Sequence, residues 1–406
     1  MKISYKSFGC RVNQIEVESI IGKFLKNGYE ISDENPDIFI INSCCVTEKT
    51  EKEVLRFIKK TIAGNPNSKI IITGCLATVF KDKIENEFKN ITIYSNENKN
   101  KIVNDFLGIN DDYFSVDGFR ERTRAFIKVQ DGCNLKCSYC IVPLARSIMI
   151  SKPFENVIFE IKRLVENGYK EIVISGTRLG AYSFDNKRLK DLLKAIEKLN
   201  GNFRVRLSSL EPMEIDNELI DIIKNSDRFC SYFHIPLQSG SDDVLKAMKR
   251  PYTTKNFTQK IEMIRKKINN VSIYSDVIVG YPTETDLDFK KTINFISELK
   301  LSGLHVFTYS PRPNTYSFKL KDLNPFIKKE RSSLMHKLDK KLRFDFATSM
   351  IGKSLDSLSL RKKNNYTHFL TTNFIDVLTN ENALPGERVR VVIKKVDDKD
   401  VFGEIV

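Results

Sequence analysis

Apolar positions in the first hundred residues follow two alternating rhythms. Short runs at 2–8, 37–42 and 69–73 read as strands. The last contains Ile70, Ile71 and Ile72 in succession, as a strand covered on both faces would. Between the runs, Val17, Ile20, Ile21, Phe24 and Leu25, then Val54, Leu55, Ile58 and Ile62, recur with helical period. This alternation predicts an N-terminal α/β domain with a parallel sheet over 1–107. Residues 108–123, with Gly108, Asn110, Asp111, Asp112, Asp117 and Gly118, read as a linker. From 124 onward, strand-like runs at 125–130, 171–175, 203–208, 230–235, 272–279 and 303–309 alternate with helical patterns such as Val157, Ile161, Leu164 and Val165. Six such units predict a partial (β/α)6 barrel whose site lies where the strands end. Residues 321–347 read as a basic amphipathic helix that completes this domain, 124–347. Short strand-like runs at 355–360, 367–371, 388–394 and 401–406 then predict a small antiparallel β-barrel over 353–406. The fold class expected is α/β with that β-barrel appended.

Charge adds a direction. The net charge is +14, but it is unevenly spread. Residues 1–118 hold 16 Lys and Arg against 17 Asp and Glu; residues 353–406 hold 9 against 8; the middle holds the remaining 41 against 27. A basic central domain predicts a polyanionic partner, most simply nucleic acid. Solvated lysine-rich faces such as Arg265-Lys266-Lys267 are the competing explanation. No apolar run has membrane-spanning length and none follows Met1 as a signal would, so a soluble, cytoplasmic chain with no membrane partner is expected. In that compartment eight cysteines point to metal binding or catalysis, not to disulfides.

The cysteines fall into two groups. Cys10, Cys44 and Cys75 each follow a predicted parallel strand, and parallel strands present their carboxyl ends on one edge. The three should therefore converge into a metal site. The Cys44-Cys45 pair is resolved in favour of Cys44, which directly follows the strand; Cys45 should point the other way. Cys133, Cys137 and Cys140 follow the strand at 125–130 with C-x3-C-x2-C spacing. Three thiolates leave one coordination position for an exogenous ligand, where four would close a structural site. Half of a zinc ribbon is the alternative on spacing alone. Cys230 starts a strand and reads as a core thiol.

With Tyr139 just before its last cysteine, the second group resembles the radical S-adenosylmethionine (SAM) superfamily. The whole chain resembles its methylthiotransferases. The residues that carry this are Gly9-Cys10-Arg-Val-Asn-Gln-Ile-Glu16, Ile41-Asn-Ser-Cys44, Thr73-Gly-Cys75, Gly132-Cys-Asn-Leu-Lys-Cys-Ser-Tyr-Cys-Ile-Val-Pro143, His234-Ile-Pro-Leu-Gln-Ser-Gly-Ser241 and Ser275-Asp-Val-Ile-Val-Gly280. The resemblance implies two 4Fe–4S clusters, one per triad, and SAM as both radical source and methyl donor. It implies a radical SAM barrel, a TRAM-like C-terminal barrel, a reducing electron donor, and a tRNA substrate modified in its anticodon loop. SAM contacts are expected on the barrel rim at Ser175, Gly176, Glu211, His234, Gln238 and Gly280. Gly9-Cys10-Arg-Val-Asn-Gln14 and Pro143-Leu-Ala-Arg146 look most like the branch acting on N6-threonylcarbamoyladenosine at position 37. The isopentenyladenosine and ribosomal-protein S12 branches are the alternatives, and a non-catalytic zinc protein that binds RNA is a further one. Three places depart from the family pattern: Ser147 for Gly, Ile150-Ser-Lys152 for Arg-Ser-Arg, and Thr283 for Gly.

Overall fold

The computed structural model describes residues 1–110, 113–120 and 122–406. Asp111, Asp112 and Glu121 of the expected linker, and the side chain of Lys363, lie outside the described residues. The N-terminal sheet comprises β1 (Lys2–Ser7), β2 (Glu30–Ile31), β3 (Ile38–Ser43), β4 (Lys69–Gly74) and β5 (Ile91–Tyr94), in the order β2-β1-β3-β4-β5, all parallel. The isoleucine run of β4 is buried on both faces, with Ile70 and Ile72 in one cluster and Ile71 in another. The pattern at 2–8, 37–42 and 69–73 anticipates β1, β3 and β4 to within a residue or so. It misses the edge strands: β2 is two exposed residues long, and β5 is only partly covered and carries little alternation.

Helix α1 (Arg11–Lys26) has two apolar faces because it is shared. Val17, Ile20, Ile21 and Phe24 pack on the N-terminal sheet, while Ile15 enters the core of the central domain. Each such buried aliphatic contributes roughly 1.5–3 kcal/mol. Helices α2 (Glu48–Gly64) and α3 (Cys75–Val79) follow β3 and β4; Thr47 caps α2 by accepting the Thr50 N–H at 3.2 Å.

The central domain contains β6 (Ala125–Asp131), β7 (Ile150–Ser151), β8 (Glu171–Gly176), a small hairpin of β9 (Ser183–Phe184) and β10 (Lys187–Arg188), β11 (Arg204–Leu207), β12 (Tyr232–His234), β13 (Ser272–Val279) and β14 (Gly303–Thr308). The six predicted strands are all present. They lie in two sheets, β11-β8-β6-β7 and β12-β13-β14, joined by a lone bridge from Val205 to Phe229. The helix Pro325–Thr348 covers the last strands. Strands β15 (Ser354–Lys363), β16 (Tyr366–Thr371), β17 (Asp376–Thr379), β18 (Arg388–Val396) and β19 (Val401–Ile405) close a barrel around Phe369, Val377, Val391 and Ile393. Register shifts at Ser359/Arg361 and Ile393/Lys395 give the curvature for closure. The barrel is antiparallel except where β17 meets β19.

The C-terminal barrel is docked by two interior arginines. Glu171, at the start of β8, accepts from Arg204 Nε at 2.7 Å and Arg206 Nε at 3.0 Å. This leaves both outer guanidinium edges to reach the barrel. Arg204 donates to the carbonyls of Asp356 (3.0 Å) and Leu370 (2.6 Å), and Arg206 to those of Thr371 (3.0 Å) and Thr372 (2.9 Å). Much of the central positive charge is likewise internal. Lys128, Arg146, Lys152, Arg204, Arg206, Arg250, Arg312 and Arg331 are all buried, so the basic excess is partly bracing and only partly surface.

Candidate active site

The chain turns sharply between β1 and Cys10 and between β4 and Cys75. Gly9 has φ +85°, and a Cβ there would lie 2.6 Å from Cys44 Sγ. Gly74 has φ +97°, and its Cβ would meet the Ser43 carbonyl at 2.3 Å. Only glycine permits this left-handed turn and this closeness, and both act to draw the three loops together. Cys44 and Cys75 are buried and Cys10 is exposed. Burial pushes the Cys44 thiol up to about 12, with Cys75 and Cys10 adding to the rise. Although Cys10 as a residue keeps exposed surface, desolvation of its sulfur among the converging loops raises the thiol, with Arg146 opposing and Cys75 adding. Burial likewise raises Cys45, with Cys75 and Cys44 adding; its other charged neighbours are Arg312 and Glu51. Cys44 is the member of the vicinal pair that lies against Gly9, the residue before Cys10.

The second triad sits past the end of β6. Burial pushes the Cys140 thiol up to about 12, aided by Cys137 and Cys133, and raises Cys133, aided by Cys137. Arg250 donates to Cys137 Sγ at 3.0 Å, to Tyr252 Oη at 2.9 Å and to Glu211. Tyr139 packs toward Val244, Met248, Tyr281 and Tyr309. The donor chemistry of both triads fits a soft iron–sulfur centre, because thiolate sulfur is the ligand such a cluster takes from a protein. Each triad supplies three thiols, which matches a cluster with one iron left free for another ligand.

The expected rim residues all lie at or just past strand ends. Ser175 is buried with no hydrogen-bond partner for its hydroxyl, as is the Ser208 hydroxyl after the adjacent β11; two such orphans mark a place for a polar ligand. Gly176 abuts Gln130, and Glu211 is held by Arg250. His234 Nε2 lies 2.8 Å from Asp276 Oδ1, which His305 Nδ1 also meets at 3.1 Å. The two histidines hold the Asp276 carboxyl well below the usual range, against the opposing effect of burial. Gln238 adopts φ +70°, a strained conformation for a non-glycine residue and one that clusters at functional sites. Gly280 donates its N–H to Glu284 at 3.0 Å and faces Lys328. Arg250, invisible to motif reading, adds a side-chain contact to a cysteine of this triad.

A cleft of about 180 Å³ lies beside the second triad, where Cys140 lines it. Cys140, Tyr139, Gln238 and Asp276 line one side, Val46 and Thr47 beyond Cys45 another, and Phe307 stands exposed at its edge. Of the three departures, Ser147 donates to Glu97 at 3.1 Å, Lys152 is buried in an ion pair with Glu160 at 2.6 Å, and Thr283 is exposed. None touches a cysteine of either triad.

Residues 127–296 match the radical SAM superfamily model, and residues 2–95 match a family described as uncharacterized protein family UPF0004. The threonylcarbamoyladenosine tRNA methylthiotransferase MtaB of Thermotoga maritima is 39% identical over 86% of this chain and 85% of its own length. The protein of that name from Aquifex aeolicus is 33% identical over 97% of this chain and 100% of its own. The tRNA-2-methylthio-N(6)-dimethylallyladenosine synthase of Petrotoga mobilis is 30% identical over 100% and 99%. Among solved structures, the radical SAM methyltransferase TsrM of Kitasatospora setae, with cobalamin and a [4Fe-4S] cluster bound, shares the fold with a TM-score of 0.55, at 11% identity over 90% of this chain and 80% of that one.

Proposed function

We propose, from the premise that the chain belongs to the radical SAM methylthiotransferases, that it adds a methylthio group to carbon 2 of N6-threonylcarbamoyladenosine at position 37 of tRNA. The observation that carries the reaction class is the presence of two separate three-cysteine sets, one past the N-terminal parallel strands and one past β6, with Cys140 of the second lining a cleft. The substrate branch is supported by relatives named for that nucleoside at 33–39% identity, where those named for dimethylallyladenosine stand at 30–33%.

Cys133, Cys137 and Cys140 would hold one 4Fe–4S cluster, and Cys10, Cys44 and Cys75 the other. Bound there with SAM, the clusters supply the radical and sulfur chemistry, which belongs to the cofactors and not to the chain. The chain binds, orients and shields. Arg250 donates to Cys137 Sγ and so fixes the position of that sulfur. Ser175, Gly176, Glu211, His234, Gln238 and Gly280 are the rim positions assigned to SAM. Val46, Tyr139 and Ile141 give the cleft apolar walls that exclude water. Phe307 offers an unstacked base an aromatic face, as single-stranded RNA recognition requires. Residue 37 belongs to the anticodon loop and must leave its stack to reach the cleft. Exposed Lys329, Lys337, Lys340 and Lys341 on the helix Pro325–Thr348 provide phosphate contacts for the rest of the loop. A reducing partner delivers electrons from outside the chain.

The assay that tests the substrate is turnover with SAM, reductant and a sulfur source. Methylthiolation is expected on tRNA carrying threonylcarbamoyladenosine, and not on isopentenylated tRNA, unmodified tRNA or ribosomal protein S12. Product only on one of the other substrates would reject the branch and leave the reaction class standing. A separate test concerns the vicinal cysteines. Cys45→Ala should retain both clusters, and Cys44→Ala should lose the N-terminal one, read as iron per chain; the opposite pattern would transfer the ligand role to Cys45.

A further inference from the structure

Glu16 and Arg146 belong to the sequence motifs that follow the cysteines, yet neither touches a thiol. Glu16 lies on α1 and is buried. Its carboxylate accepts from Lys99, from Lys128 Nζ at 2.8 Å, and from Arg146 Nη1 and Nη2 at 2.8 and 2.9 Å. Arg146 also donates to Asp131 Oδ2 at 2.6 Å and Asn13 Oδ1 at 2.7 Å. Three cations and two carboxylates thus form one buried network that spans both domains.

The network ends on the cysteine loops themselves. On the N-terminal side, Asn13 Nδ2 donates to the carbonyls of Phe8 (2.9 Å) and Ser43 (3.0 Å), just before Cys10 and Cys44. Ser43 Oγ donates to the Thr73 carbonyl and accepts the Ala77 N–H at 3.2 Å, on either side of Cys75. On the other side, Asp131 Oδ1 accepts the Gly132 N–H at 2.8 Å, and the Arg146 carbonyl accepts the Cys133 N–H at 3.3 Å. The chain beside four of the six cysteines, Cys10, Cys44, Cys75 and Cys133, is therefore tied to one ion cluster by hydrogen bonds.

We propose that Glu16 and Arg146 are positioning residues that fix the separation of the two triads, so that one base can be served by both. The inference rests on the functional reading above. Two centres acting on one bound atom gain rate only if their geometry is held, and a shift of about 1 Å can cost roughly a hundredfold. Apolar packing would hold the domains together but would let them slide. A bidentate arginine with fixed partners defines direction as well as distance. If the brace loosens, radical formation persists while its productive use fails.

The test compares the wild-type holoenzyme with Glu16→Gln and Arg146→Lys. Both variants are expected to retain iron and sulfide. The 5′-deoxyadenosine formed per methylthiolated tRNA should rise on the order of tenfold to a hundredfold in Glu16→Gln. Arg146→Lys keeps the charge but loses the fork, and should move the same way by less. The magnetic interaction between the two reduced clusters, read by electron paramagnetic resonance, should change in both. A wild-type ratio at full iron content overturns the proposal. Loss of iron from both variants overturns it too, because the network would then be a folding element. If the wild-type enzyme methylthiolates no tRNA, the functional reading fails instead, and an unaltered cluster–cluster interaction in the variants would separately reject the brace.

Discussion

Replacing Cys133, Cys137 and Cys140 together by alanine is expected to leave about half of the iron and none of the reductive cleavage of SAM. The two triads sit on different elements, one past the end of β6 and the other past β1, β3 and β4, and each has its own crowded thiols. No thiol is shared between them, so each should load without the other. The complementary variant, with alanine at Cys10, Cys44 and Cys75, should also keep about half of the iron. It should still form 5′-deoxyadenosine but make no methylthiolated product, a loss of several orders of magnitude in product. The measurements are iron and sulfide per chain after anaerobic reconstitution, and nucleoside analysis of the reaction. Complete iron loss from either variant would show that the triads form one interdependent centre.

The cysteines were legible in the sequence because each marks the end of an element that local pattern also marks. An isoleucine run followed by Gly74-Cys75 announces both the strand and its carboxyl end. The placement of the rim residues at or just past strand ends was legible for the same reason, since a (β/α) repeat brings the carboxyl ends of its strands to one side. What local pattern does not contain is pairing across the chain. Arg250 reaches Cys137 from 113 residues away, and Arg146 reaches Glu16 from 130. Nothing in the sequence pairs these arginines with those partners, even though Arg146 stands in a recognised motif, and both add to the basic excess of the central domain. The split of the barrel into two sheets was equally hidden. It arises where β12 is only three residues long and Pro236 follows it, lacking an N–H to extend the ladder.

Glu171→Gln is expected to destabilise the docked C-terminal barrel by about 3–5 kcal/mol at pH 7, the cost of leaving buried charge without its partner. The substitution keeps the shape of the side chain and removes only its charge. Glu171 is the shared acceptor for Arg204 and Arg206, with Arg124 also within 3.4 Å, and both interior guanidiniums spend their other edges on barrel carbonyls. Burial alone would raise the Glu171 carboxyl. Arg206 and Arg204 overcome it and hold the group well below the ordinary carboxylate range. The sign of the pH dependence follows. A carboxyl with a depressed folded-state pKa contributes its full stability above its unfolded value of about 4.3, and that contribution is lost as pH falls toward the folded value. The gap between wild type and Glu171→Gln should therefore be widest at neutral pH and should narrow below about pH 4. Because the chain has several domains, the quantity to follow is the transition that releases the barrel, by calorimetry and by protease cleavage near residue 352, where the helix Pro325–Thr348 gives way to β15. A variant whose barrel transition coincides with that of wild type at pH 7 would show that aromatic contacts such as Tyr232 with Phe374, at 4.7 Å between ring centroids, hold the barrel without the ion cluster.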